Sequence, residues 1–190
     1  LTDPSVLTRY LDILDGLGGT FETNVPYEVM TELVKYVDTV IANAEDFQKS
    51  LGLSAESSSA VEEGQIDVEL YKKIASGAMA KYPNIKRVAI TLRESKSANH
   101  NDWSACLYNG KDFFLSRKYA ITDIVDRVGG GDAFASGLIY AMMHGYEAGE
   151  MVNFAVASSV IKHTIHGDAN ITDDVGTIRD IMQMDYDIRR

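Results

Sequence analysis

The chain has 190 residues, 45% hydrophobic and 24% charged, an ordinary balance for a globular protein able to build one core. A formal net charge of −10 argues against nucleic acid or an anionic membrane as partner, because the average surface would repel both. The single cysteine, Cys106, excludes an internal disulfide framework and any cysteine-rich metal centre. No apolar run approaches the roughly 18 residues of a membrane span, and the start of the chain has no leader pattern. The expectation is a soluble, cytoplasmic protein.

Residues 1–25 fit no regular pattern and contain a turn-like Gly16-Leu-Gly-Gly19. From Pro26 to Tyr36, Val29, Met30, Leu33, Val34 and Val37 recur at helical spacing. Val37–Ala42 reads as a short buried strand. Ala44–Leu51 reads as a helix stopped by Gly52. Residues 54–65 are small, polar and acidic, too poor in apolar surface to pack, and predict a mobile loop. Asp67–Lys81 is a second amphipathic helix, and Val88–Leu92 a β-rich strand. Ser104–Tyr108 and Lys111–Leu115 flank Asn109-Gly110, a two-residue hairpin signal. Trp103, Phe113 and Phe114 are expected to form the hairpin's core and cover. Cys106 is expected as a small buried apolar residue. After an extended stretch at Ile121–Val125 come helices at Asp132–His144, Glu147–His163 and Asp173–Met184. Strands alternating with helices predict an α/β fold, with a mostly parallel central sheet and one inserted antiparallel hairpin.

Gly129-Gly130-Gly131 followed by a helix-forming run is the most informative segment. Glycines free the backbone to turn its N–H groups toward one point. A helix start adds unpaired donors and a partial positive charge, so the pair suits a phosphate or charge developing in phosphoryl transfer. Asp132 stands where a carboxylate can either cap the helix or take a proton from an attacking hydroxyl. Composition alone leaves both readings open.

Asp126-Arg-Val-Gly-Gly-Gly-Asp-Ala-Phe-Ala-Ser-Gly137 resembles the C-terminal motif of the ribokinase-like (PfkB) carbohydrate kinases, commonly Asp-Thr-x-Gly-Ala-Gly-Asp. The Asp-Arg-Val-Gly-Gly-Gly-Asp form is most similar to the 2-keto-3-deoxygluconate (KDG) kinases. The resemblance implies a three-layer α/β/α fold with Asp132 as catalytic base. Gly129, Gly130 and Gly131 would form the anion hole, and Asp126 would lie near bound cations and phosphates. Arg127 replaces the usual Thr and could meet a nucleotide phosphate or an acidic substrate; Gly130 replaces Ala and keeps the amide.

Other segments match in order. Ile41-Ala-Asn-Ala-Glu-Asp46 resembles the family's Asn-x-x-Glu motif, which orders magnesium through water. Asn43 and Asp46 would hold those positions, with Glu45 nearby; helix capping by Asn43 is the alternative. Thr91-Leu-Arg-Glu-Ser-Lys-Ser97 stands where relatives carry a glycine-bearing nucleotide loop, so Thr91, Arg93 and Ser95 become nucleotide-contact candidates. Lys162-His-Thr-Ile-His-Gly-Asp-Ala-Asn170 resembles the loop beside the adenine pocket. Asn170, with Ala155 and Ser159 on the preceding helix, would contact the nucleotide. His163 and His166 lack metal-ligand companions at useful spacing and read as structural or loop residues.

The resemblance implies ATP and Mg²⁺ as cofactors, with a monovalent cation as a further option. It implies ATP and a small acid sugar as partners, with self-association left open. Residues 1–190 would be one incomplete ribokinase-like domain. Of these, 26–190 match the nucleotide-binding second half and 1–25 are unassigned, although Gly18–Val25 resembles the family's N-terminal Gly-Gly…Asn-Val motif one residue out of register. The first half, which supplies most sugar contacts, has no counterpart. A kinase for KDG, a fructose- or ribose-type kinase, and a truncated nucleotide-binding protein without catalysis are the readings carried forward.

Overall fold

A computed structural model describes residues 27–53, 67–97, 99–172 and 174–183. The loop expected at 54–65 and the motif expected at 18–25 lie outside them. Helix α1 (Tyr27–Leu33) runs into a 3₁₀ turn at Val34–Tyr36 and then strand β1 (Thr39–Ala42). Helix α2 (Ala44–Leu51) starts at an Asn43/Asp46 capping box and stops at Gly52, whose φ of 61° is the left-handed conformation that suits glycine. Helix α3 (Val68–Lys81) is capped by Asp67, whose Oδ1 accepts from Leu70 N at 3.0 Å.

Strands β2 (Arg87–Ser97) and β3 (His100–Tyr108) form a long antiparallel pair. Strands β4 (Phe113–Leu115) and β5 (Tyr119–Ile121) follow one another along the far edge of β3. Between them Ser116 bridges the gap: its N–H donates to Ala105 O, and its Oγ accepts from Ala105 N. Helices α4 (Gly130–Met143), α5 (Ala148–Lys162) and α6 (Val175–Gln183) complete the described chain.

The sheet is mixed, and the three-layer α/β class holds. β1 and β2 are parallel, joined through α2 and α3, whereas the other three described pairings are antiparallel. The antiparallel part is larger than the single hairpin expected, because β2 continues to Ser97 and doubles back directly into β3. The β3–β4 hairpin is where Asn109-Gly110 predicts it, but its loop has four residues. Asn109 Oδ1 accepts from both Lys111 N and Asp112 N, which closes an Asx turn in place of the two-residue turn.

Side chains alternate between two cores. Ala89, Trp103, Ala105 and Leu107 face α4–α6. Val88, Ile90, Leu92 and Cys106 face the 3₁₀ turn, α2 and α3. Helix α5 is buried on nearly all sides, as its small apolar sequence requires. Among the described residues no helix is long and apolar enough to cross a membrane.

Candidate functional site

Strand directions decide where a site can form. β1 and β2 are parallel, and β5, antiparallel to β3, points the same way as β2. Their carboxyl ends therefore share one edge, and from that edge leave the Asn43 cap of α2 and the glycine turn into α4. In open α/β sheets ligands bind at this edge.

The glycine turn is built by close packing. Gly129 is the N-cap of α4, with φ 78° and no side-chain cap. A Cβ placed on it would lie 1.8 Å from the backbone oxygen of Asp168, so no other residue fits. Gly130 is buried, its carbonyl accepts from Ser159 Oγ at 2.7 Å, and its N–H donates to Arg127 O at 3.3 Å. A Cβ at Gly130 would sit 2.8 Å from Cε1 of His163, so the imidazole occupies the space that the more common alanine would need. This corrects the expectation that all three glycine amides face an anion: the Gly130 amide is committed to the turn. The open first-turn donors are those of Gly131 and Asp132, both exposed.

Asp132 is in the first turn of α4 and is not its cap. It makes no hydrogen bond or ion pair among the described residues. A capping role would have used the carboxylate; here it is left free for other chemistry.

Asp126 and His163 lock the turn in place. Asp126 Oδ1 accepts from Val128 N, and Oδ2 from Gly167 N, each at 3.0 Å. These two amides, Val128's first, hold the carboxyl below its ordinary range. His163 O accepts from Val125 N at 2.9 Å and Asp126 N at 3.4 Å. Its Nδ1 lies 2.7 Å from Ser159 O, an arrangement that puts the ring proton on Nδ1. Burial pushes the imidazole's pKa down, and the ring packs at 5.0 Å from Trp103. His163 thus packs within the turn, exposed His166 lies in the loop that follows, and among the described residues no cluster of His, Cys, Asp and Glu could hold a metal.

Beside Asp132 opens a cavity of about 390 Å³ between α4, α5, α6 and the loop 168–172. Asp132, Ser136 and Tyr140 line it from one face of α4, four residues apart. Phe154 and Ser158 line it from α5, and the Phe154 ring stacks on that of Tyr140 at 5.3 Å. Asn170 also lines it, and its amide is fully engaged: Nδ2 donates to Ser158 O, and Oδ1 accepts from Thr172 N and Oγ1. The size and the mix of apolar wall and few polar groups suit a small-molecule pocket.

Two predicted contacts are displaced. Ala155 and Ser159 are buried, packed on Gly137 and bonded to Gly130, and neither lines the cavity. Phe154 and Ser158, themselves almost fully buried, are the α5 residues that back the cavity. Ser136, Tyr140, Phe154 and Ser158 were missed. The four-residue step from Asp132 would have found the first two, whereas nothing in the uniformly apolar α5 marks the others.

The nucleotide candidates on β2 lie in the strand rather than in a loop. Thr91, Arg93 and Ser95 share the α4–α6 side, with Arg93 opposite Trp103. Arg93 makes no hydrogen bond or ion pair among the described residues. Its charge reaches both sides of the edge. Glu45, held low mainly by Lys49, feels it, as does His163, depressed mainly by burial. Arg127 leans toward the β2–β3 tip, its Nη2 donating to Ser97 O at 3.5 Å. Asn43 Oδ1 accepts from Asp46 N at 2.8 Å, and Asp46 Oδ2 from Asn43 N at 3.3 Å, so both side chains cap α2. Both are exposed, and Asp46 Oδ1 keeps no partner among the described residues, which leaves room for a water-mediated ion contact.

A family model described as pfkB family carbohydrate kinase matches residues 20–174. The crystal structure of a 2-dehydro-3-deoxygluconokinase from Thermotoga maritima is 36% identical, with a TM-score of 0.77 over 95% of this chain and 55% of that one. A PfkB family carbohydrate kinase from Listeria grayi is 31% identical, with a TM-score of 0.68 over 83% of this chain and 45% of that one. A candidate 2-keto-3-deoxygluconate kinase from Enterococcus faecalis is 28% identical, with a TM-score of 0.66 over 86% and 46%. The chain thus spans about half the length of the relatives it matches. No curated protein matches significantly.

Proposed function

Because the chain belongs to the pfkB family of carbohydrate kinases, we propose that its site serves ATP-dependent phosphorylation of a small acid sugar, KDG, at a primary hydroxyl. The observation that carries this reading is Asp132, without a partner among the described residues, set in the first turn after a close-packed glycine turn and facing a cavity of about 390 Å³. Residues 26–190 then correspond to the nucleotide-binding half of the family.

In this reading the adenine enters the cavity beside Tyr140, and the triphosphate runs toward the start of α4. Asp132 accepts the proton of the sugar hydroxyl as its oxygen forms the new bond to the γ-phosphorus. The bond from that phosphorus to the β–γ bridging oxygen breaks, and ADP leaves. The Gly131 and Asp132 amides and the dipole of α4 stabilise the charge on the transferring group. Arg93 supplies a mobile cation for the phosphates, a role of point charge rather than of backbone approach. Mg²⁺, when bound, neutralises triphosphate charge. Asn43 and Asp46 would hold it through water, the only mode that suits two side chains already engaged in a cap.

KDG is preferred over fructose or ribose because two of the similar structures bear that substrate in their descriptions. The second reading is a nucleotide-binding protein without turnover. Calorimetric titration with Mg·ATP, followed by ADP release in the presence of KDG, fructose or ribose, separates the readings. Binding with KDG-dependent release supports the proposal. Binding without release on any sugar supports the second reading, and absence of binding rejects both.

A further inference from the structure

Lys162, the last residue of α5, is fully buried. Burying an ammonium is costly unless its charge and donors are met. Here Nζ donates to Ile165 O at 3.0 Å, inside the loop that follows its own helix, and the carboxyl end of α5 offers negative partial charge. That loop is stapled to the segment entering the glycine turn. Gly167 N donates to Asp126 Oδ2, and His163 O accepts from Val125 N and Asp126 N. The positive charge of Lys162 acts on Asp126 as well, behind the stronger effect of the Val128 and Gly167 amides.

A monovalent cation beside Asp126, the further cofactor that the family resemblance raised, does not fit this arrangement. Each carboxylate oxygen of Asp126 already accepts a backbone N–H, and a second cation there would meet the positive charge of the buried Lys162 ammonium, which bonds the Ile165 carbonyl and already acts on Asp126. We infer that the Lys162 ammonium is the site's built-in monovalent cation: it fixes the 163–168 loop against the glycine turn, and the protein binds neither K⁺ nor Na⁺ there. Lys162 is a positioning residue. That the loop borders a nucleotide site rests on the kinase reading, whereas the ion claim rests on the fold alone.

The test uses thermal unfolding and the emission of Trp103, the sole tryptophan, whose ring lies 5.0 Å from His163 and therefore reports on this loop. At constant ionic strength, tetramethylammonium is replaced stepwise by K⁺, Na⁺ or NH₄⁺. The wild type should show no saturable change in Tm or emission. Lys162→Ala opens a cation-sized space, and K⁺ or NH₄⁺ should raise its Tm saturably, by roughly 3–6 °C at ten times the ion's Kd, and restore the emission. Lys162→Met, which keeps the volume without the charge, should show no such rescue. A saturable K⁺ or Na⁺ response of the wild type overturns the inference, and so does a folded Lys162→Ala that ignores every ion. Should Lys162→Ala fail to fold, refolding decides: native emission recovered only with NH₄⁺ or methylammonium supports the inference, and no recovery overturns it. Failure of the wild type to bind Mg·ATP would count against the kinase reading and leave these ion titrations standing.

Discussion

The glycine turn offers a sharp test, because the same chemical change two residues apart should have opposite signs. At Gly129 the backbone has φ 78°, which costs an alanine about 1–3 kcal/mol. The new methyl would also lie 1.8 Å from the Asp168 oxygen, where real contacts of this kind do not fall below 3.0 Å. The 168 backbone must therefore retreat by more than an ångström, against the Asp126–Gly167 hydrogen bond that anchors it. Together these put Gly129→Ala at about 3 kcal/mol of destabilisation, a Tm loss of roughly 6–12 °C for a chain of this size. At Gly131 a Cβ meets nothing within 4 Å, and φ is not positive. Gly131→Ala should be neutral or gain up to about 1 kcal/mol, since alanine is the better helix former. Urea unfolding of both variants at neutral pH, with slope and midpoint compared, measures the difference. Equal midpoints for the two would refute the close-packed turn.

Three further outcomes follow from the same geometry. Gly130→Ala should destabilise the chain because its methyl would meet His163, and adding His163→Ala should reverse part of the loss, with a coupling of about 0.5–3 kcal/mol in a double-mutant cycle; additive effects would contradict the contact. Asp126, held below its ordinary 3.8 by the Val128 and Gly167 amides, contributes stability that is complete above the unfolded value and lost as pH falls through the lower folded one. The Tm gap between wild type and Asp126→Asn should therefore close as the solution is acidified below about pH 4, and a gap that widens instead would show the sign to be wrong. Burial pushes the Cys106 thiol up to about 12, so it should resist a thiol reagent at neutral pH and react only after unfolding; fast labelling of the native protein would contradict its position in the core.

Where the sequence was legible, local chemistry and tertiary structure agree. Asn43 followed by Asp46, and Leu51 followed by Gly52, mark both ends of α2 because caps act within a single turn. Asn109-Gly110 locates the β3–β4 hairpin, although the Asn109 side chain selects a longer loop. Arg93–Ser97 was not legible as strand, since polar residues at an exposed sheet tip carry no burial pattern. They are held by β3 backbone pairing and by Lys96 and Lys118 between Glu94 and Asp102. Nor could the sequence tell which face of α5 meets the cavity, because a helix apolar all round has no periodic stripe. The role of Gly129 in admitting the Asp168 carbonyl joins residues far apart in sequence, and only the fold shows it.

The central claim, that Asp132 is the base of a phosphoryl-transfer site, is tested most directly by Asp132→Asn. Asp132 has no partner among the described residues, so the variant should fold with unchanged Tm and bind Mg·ATP with unchanged Kd. Its rate of ATP-dependent KDG phosphorylation should fall by about 10²–10⁴-fold, the contribution of a positioned general base. Phosphorylation at the wild-type rate would contradict the account.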